Sequence, residues 1–233
     1  MSYLFRAVDP ADPMVQVSRP RDDEHNGGEW KKNNNYGIGN GVEAPRNWPA
    51  TVTYLTQPMY SPVLVEGQRQ ALKVRSPELT TEIPSNLPRG PSPVVRIVPI
   101  AEASHPAYQQ SGLFAARFIP PGSFIVPYYG IVHPSLSSDD DGQNPGHGKS
   151  DYDLWLDHEA DIAVDAEKAG NEARFVNDYR GVSGRPNAEF KECWDTRRGE
   201  KVMGVFALPA GKARAKKSAV GIKKEINALD LTY

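Results

Sequence analysis

The sequence predicts a β-rich α+β domain, and three observations carry that expectation. From Val94 onward, short β-branched and aromatic runs are separated by Gly, Pro and Asp, as in proteins built from many short strands. A single stretch, Ala166 to Val176, places Ala166, Ala169, Ala173 and Val176 at helical spacing, although Gly170 weakens it. Before Val94 the texture is different, rich in Pro, Asn, Gly and charge.

In chain order, residues 1–92 read as a partly disordered, loop-rich region, because they hold little apolar surface to bury. Turn formers stand at Asp9-Pro10, Gly27-Gly28 and Arg89-Gly90-Pro91, and a polar run extends from Lys31 to Asn35. Two apolar islands, Trp48 to Met59 and Pro62 to Val74, could each add a strand or short helix to the main domain. Trp30 and Trp48 are candidate anchors. Residues 93–233 form the main domain. Its expected strands are Val94 to Pro99, Leu113 to Phe118, Phe124 to Val132, Tyr152 to Asp157, Asp161 to Val164, Ala188 to Cys193 and Val202 to Leu208. The loop Ser135 to Ser150 is rich in Ser, Asp and Gly and reads as mobile.

Composition excludes several classes of function. Lys plus Arg number 27 against 29 Asp plus Glu, so no global field favours nucleic acid or membrane. The lone Cys193 rules out an internal disulfide framework and a cysteine-rich zinc cluster, and fits a reducing compartment. No segment approaches the ~20 apolar residues needed to cross a bilayer, and the N-terminus has no apolar leader. The expected location is intracellular and soluble, in nucleus or cytoplasm.

Four local patterns invite a function and lose it on context. Gly37-Ile38-Gly39-Asn40-Gly41 resembles a phosphate turn, but Lys and Asn precede it and Pro45 and Pro49 follow, where a strand and a helix are needed. Ser137, Asp139, Asp141 and Gly142 match the start of a calcium loop, yet Gly148 stands where a bidentate Glu is required. The five histidines, His25, His105, His133, His147 and His158, show no paired helical spacing, so no metal site is expected. Six basic residues between Gly211 and Lys224 read as a solvated loop before they read as a nucleic-acid patch.

Three blocks, in order from Val94 to the end of the chain, resemble the SET domain. The first is Ser111-Gly112-Leu113-Phe114-Ala115, followed by Ile119, Gly122 and Ile125, and then Tyr128-Tyr129-Gly130. The second is Asp165-Ala166, Gly170-Asn171-Glu172-Ala173-Arg174-Phe175-Val176-Asn177, then Pro186-Asn187. The third is Met203 to Leu208. The resemblance implies a fold of several small β-sheets with one short helix and a C-terminal pseudoknot. It implies methylation of a protein lysine, with histone a plausible substrate and S-adenosyl-L-methionine as cofactor. A non-catalytic relative that binds peptide or chromatin is the alternative.

By the same resemblance, Ser111, Gly112 and Leu113 line the cofactor through their backbone, with Tyr152 nearby. Arg174, Phe175, Asn177 and Asp178 fall on the cofactor motif, and the Asn177 side chain serves the amino-acid end. Tyr128 falls beside the lysine channel. Core packing is the competing role for Tyr128, Tyr152 and Phe175. The chain departs from the family pattern in three places. Gln110 replaces the first glycine of G-x-G, Asp178 replaces a histidine, and Tyr179-Arg180 replace Ser-Cys. The closing strand starts at Lys224-Glu225-Ile226 and ends at Asp230-Leu231-Thr232-Tyr233. Tyr233 either occupies the family's aromatic selectivity position, leaving the catalytic tyrosine two places beyond it, or fills the catalytic place itself. The pseudoknot is therefore expected to be incomplete.

Overall fold

The computed structural model describes residues 2–3, 42–135, 150–180 and 182–209. The Gly37–Gly41 turn, Trp30, most of the Ser135–Ser150 loop, the basic run after Gly211 and Tyr233 with its closing segment lie outside the described residues.

Twelve strands, one α-helix and one 3-10 helix follow in order among those residues. Strands β1 (Ser2–Tyr3), β2 (Thr53–Tyr54) and β3 (Met59–Tyr60) come first, then α1 (Glu66–Leu72). Strands β4 (Val95–Pro99), β5 (Ser111–Ala115), β6 (Phe124–Tyr128), β7 (Ile131–Pro134), β8 (Asp153–Asp157) and β9 (Ile162–Asp165) follow. The chain then forms β10 (Ala169–Gly170), the 3-10 helix Glu172–Phe175, β11 (Ala188–Asp195) and β12 (Glu200–Ala207). These strands build four small sheets: β1-β11-β12-β6, β3-β7-β9-β8, β4-β5 and β10-β2.

Local chemistry accounts for the main elements. β12 lies between β11 and β6, and every residue from Val202 to Ala207 is buried, as a covered central strand requires. Its hairpin with β11 closes at Asp195, whose carboxylate accepts the backbone N–H of Arg197 at 2.9 Å and of Arg198 at 3.3 Å. Gly199 completes the turn at φ +64°, a conformation that glycine adopts without strain. In β4, Val95 and Ile97 are buried while Arg96 is exposed, which is the alternation of a one-sided strand. In α1, Glu66 sits in the first turn, the Gln68 side chain accepts the Val65 N–H at 3.3 Å, and Leu72 is buried at the far end.

The helix expected over Ala166 to Val176 does not form. Ala169–Gly170 instead pairs in parallel with Thr53–Tyr54, and only Glu172–Phe175 coils, as a 3-10 turn. The small residues there permit close approach. A Cβ on Gly170 would meet the Ala166 Cβ at 2.9 Å and the Tyr129 carbonyl oxygen at 3.1 Å. Tertiary contact overrides a helical spacing that local propensity supported only weakly. The expected strand Phe124 to Val132 divides at Tyr129-Gly130, where the chain leaves one sheet and enters another. The α-helix lies upstream, inside the second apolar island.

The segment before β4 is joined to the rest by several contacts. β3 pairs in parallel with β7, and Leu64 and Leu72 enter the main core beside Leu113, Val126 and Val164. The Tyr60 hydroxyl donates to Glu200 at 2.5 Å, and Arg198 bridges Glu200 to Gln57.

Two glycines test this packing. At Gly130 an added Cβ would lie 2.5 Å from the Asp165 carbonyl oxygen, a backbone atom that cannot step aside. Gly130→Ala is expected to cost roughly 2–3 kcal/mol, seen as a lower urea midpoint with an unchanged m-value. Gly67 faces open space inside α1, so Gly67→Ala should raise stability by about 0.5–1 kcal/mol in the same assay.

Candidate functional site

The site is built around the 3-10 helix, and Asn171 sets where that helix stands. Among the described residues β6 is an edge strand, so Pro127 C=O and Tyr129 N–H on its outer side need partners. The Asn171 side chain supplies both, donating from Nδ2 to Pro127 at 2.8 Å and accepting the Tyr129 N–H at Oδ1 at 3.0 Å. A carboxamide thereby stands in for a missing strand. Asn171 is buried, so its loss would strand two backbone groups at about 1–3 kcal/mol each.

β5 approaches the same helix with an open edge. Gln110 and Ala116 make their ladder bonds with Ile100 and Val94. Alternation along an antiparallel pair then turns the backbone of Gly112 and Phe114 toward β4, and the backbone of Ser111 and Leu113 away from it. On that outer edge the Asn177 Nδ2 donates to the Ser111 carbonyl at 3.4 Å. Gly112 makes this possible, since a Cβ there would lie 3.0 Å from Asn177 Nδ2 and 2.8 Å from the Phe114 ring.

A second group of expected residues forms a continuous chain. The buried Tyr128 hydroxyl donates to the Tyr152 carbonyl at 2.5 Å, and its ring meets Phe190 edge-on at 5.1 Å. The Tyr152 ring carries the Arg174 guanidinium 4.2 Å above its centroid. Arg174 also donates to the Ala166 carbonyl at 2.9 Å and lies 5.0 Å from the Phe175 ring. Phe175 packs edge-on against Trp48 at 5.6 Å.

The structure thus joins Ser111, Gly112 and Asn177 in one cluster, and Tyr128, Tyr152, Arg174 and Phe175 in another. The helix that carries Arg174 and Phe175 contacts both β5 and β6. Leu113 contributes its side chain to the core, leaving only its backbone for the edge. Asp178 turns onto Arg180, accepting its N–H at 2.7 Å and pairing with its guanidinium at 2.8 Å. A cleft among the described residues lies on the other side of the 3-10 helix start, lined by Tyr54, Leu87, Ser92, Pro127, Asn171 and Glu172.

Sequence reasoning missed the roles of Asn171 and Glu172, both buried polar residues at the start of the 3-10 helix. Burial drives the Glu172 carboxyl above its ordinary range, and hydrogen bonds from Ser92 and Tyr54 only partly offset this. The available signal was an adjacent Asn-Glu pair among small residues. Cys193 is buried with its thiol pushed up to about 12 by burial and by the nearby Asp195, which makes it inert. Among the described residues no group of three or more His, Cys, Asp or Glu could hold a metal ion. No helix there is long and apolar enough to cross a membrane.

With this geometry in place, residues 110–212 match the family model of the SET domain. The chain carries a SET domain. The match spans the three motif blocks from β5 through β12. No curated protein matches the chain. Among solved structures it is similar to ATXR5 in complex with a mono-methylated histone H3.1, at 18% identity and a TM-score of 0.47, over 70% of this chain and 78% of that one. It is also similar to polycomb repressive complex 2 of Chaetomium thermophilum, at 22% identity and a TM-score of 0.37, over 58% of this chain and 15% of that one. A third similar structure is that complex in an autoinhibited conformation bound to S-adenosylmethionine, at 21% identity and a TM-score of 0.38. There the match covers 52% of this chain and only 14% of the other. The assignment of a SET domain rests on the match over residues 110–212 and the motif residues within it, not on these distant likenesses.

One ion pair beside these residues gives stability a pH dependence. His133 Nδ1 lies 2.8 Å from the Pro134 carbonyl and Nε2 3.1 Å from Asp153, next to Tyr152, so only the imidazolium can donate to both. Burial alone would lower the His133 pKa, but the hydrogen bond and charge of Asp153, with the Pro134 carbonyl, lift it above its ordinary value. A raised folded pKa means that the stabilisation is complete below the unfolded value of about 6.5 and is lost as pH rises through the folded value. Urea unfolding across that window should show the wild type losing its advantage over His133→Gln as pH rises. An advantage that is flat with pH would contradict the assignment.

Proposed function

We propose that this SET domain is an S-adenosyl-L-methionine-dependent protein-lysine N-methyltransferase, acting on a lysine-bearing tail such as that of a histone, in nucleus or cytoplasm. The observation that supports it best is the double role of one short helix. Its N-cap residue Asn171 holds the strand bearing Tyr128, and two residues beyond its last turn the Asn177 amide donates to Ser111 on the outer edge of β5.

The residues present fit such a cofactor by the chemistry of their donors. In this reading the Asn177 side chain, the Ser111 hydroxyl and the outward backbone of Ser111 and Leu113 hold its polar ends. Tyr152, Arg174 and Phe175 provide aromatic and cationic walls, Gly112 gives the room in which Asn177 packs, and Asp178 serves through its backbone. The cofactor supplies an electrophilic methyl group on a sulfonium.

The protein's share of the chemistry is to present a neutral amine in line with that methyl. A free lysine has a pKa of about 10.4, so the amine must shed a proton before attack. A dry aromatic channel disfavours the ammonium, and neighbouring positive charge acts the same way. Tyr128 belongs to that channel in this reading, because its phenol is buried and its hydroxyl is held by the Tyr152 carbonyl. Tyr233 is the proposed second tyrosine. Alignment does the rest, since holding both partners in line removes a bimolecular search.

Transfer of labelled methyl from S-adenosyl-L-methionine to core histones by the full chain tests the proposal. Asn177→Ala should lower incorporation by roughly ten-fold or more, the loss of a hydrogen bond to a charged ligand. Absence of both transfer and cofactor binding, with retained histone-peptide binding, would replace the enzyme by a peptide-binding SET relative.

A further inference from the structure

We propose that Glu172 is a positioning residue for the cofactor motif, and that it takes its hold from the segment that precedes the matched SET domain. The proposal rests on the methyltransferase reading and adds to it a part of the chain that the family match does not include.

Glu172 opens the 3-10 helix and is 3% exposed. Its Oε1 accepts the Ser92 N–H at 2.7 Å, and its Oε2 accepts the Tyr54 hydroxyl at 3.3 Å. Both partners lie before residue 110, where the SET match begins. The same upstream segment braces the helix twice more. Trp48, whose indole N–H donates to the Val52 carbonyl at 2.7 Å, meets Tyr54 at 5.0 Å and Phe175 at 5.6 Å. Thr53–Tyr54 also pairs in parallel with Ala169–Gly170, just ahead of Asn171.

Little slack separates this clasp from the ligand-facing amide. One 3-10 turn and the extended Val176 connect Glu172 to Asn177, and a 3-10 helix is a tight, stiff link. The Asn177 to Ser111 bond is already 3.4 Å, so a shift of about 0.3 Å at the helix takes it beyond hydrogen-bonding distance. Releasing Glu172 therefore frees the Asn177 amide while Ser111, Gly112 and Asn177 themselves are unaltered. A glutamine can keep both contacts, its Oε1 accepting the Ser92 N–H and its Nε2 donating to a Tyr54 hydroxyl turned to accept.

The test uses the full chain with Glu172→Ala, Glu172→Gln and Tyr54→Phe, the last removing a single hydroxyl should the alanine variant fail to fold. Two readouts are followed: solvent exchange of the Asn177 side-chain amide by NMR without ligand, and the dissociation constant of S-adenosylhomocysteine by calorimetry. Glu172→Ala should speed the exchange and weaken binding by about ten-fold, Tyr54→Phe by a few-fold, and Glu172→Gln should stay within about two-fold of wild type. In an Asn177→Ala background, Glu172→Ala should add no further loss of affinity, because the two act through one contact. Additive losses in that background would overturn the proposal, as would unchanged Asn177 exchange in the alanine and phenylalanine variants. A wild-type chain that binds no S-adenosylhomocysteine would instead overturn the methyltransferase reading, and the exchange measurement would still decide the role of Glu172.

Discussion

The buried carboxamide of Asn171, bonded at once to Pro127 and Tyr129, is the contact on which the remaining arrangement depends. An edge strand with unpaired peptide groups cannot be buried cheaply, and β6 must be buried because Ile125, Val126 and Tyr128 belong to the main core. One side chain from the start of the 3-10 helix resolves that conflict. It thereby fixes the distance between the strand that carries Tyr128 and the motif that carries Arg174, Phe175 and Asn177.

Close backbone packing follows from the same constraint. The chain turns from β6 to β7 directly against Asp165, at a spacing only Gly130 tolerates, and Gly170 lets the β10 backbone lie against Ala166 and Tyr129. With Ala169–Gly170 paired to Thr53–Tyr54, the backbone in the middle of Ala166 to Val176 is committed to a strand. A short 3-10 turn places Arg174 over Tyr152 and leaves Val176 extended toward Asn177. The SET motif thus reads as helical in its composition and mostly as a scaffold of specific contacts in its structure.

The electrostatics separate structure from candidate chemistry. Lys201 pairs with Asp157 between β12 and β8, and although burial opposes the Asp157 carboxylate, Lys201 and the N–H groups of Ala160 and Glu159 hold its pKa below the ordinary value. That pair, the Tyr60–Glu200–Arg198 network and the hairpin closed by Asp195 tie elements to one another. Tyr128 is different, since it sits in the core with its hydroxyl directed at the carbonyl of Tyr152, another residue of the motif reading. Packing and function are compatible for such a residue, and the SET-domain reading requires both.

The sequence by itself determined the class of fold, most of the strands after Val94 and the identities of the motif residues. Alternating burial leaves a period-two imprint on β4, and full burial leaves a continuous apolar run on β12, so local pattern reports them. Ser111, Gly112, Tyr128, Arg174, Phe175 and Asn177 were legible as a family signature. Only the tertiary structure decided that Ala166 to Val176 is not a helix, that Trp48 and Tyr54 reach the motif, and that Asn171 and Glu172 hold it. The reason is physical: each of these rests on hydrogen bonds or ring contacts between residues more than forty positions apart, and no local periodicity records a partner so distant.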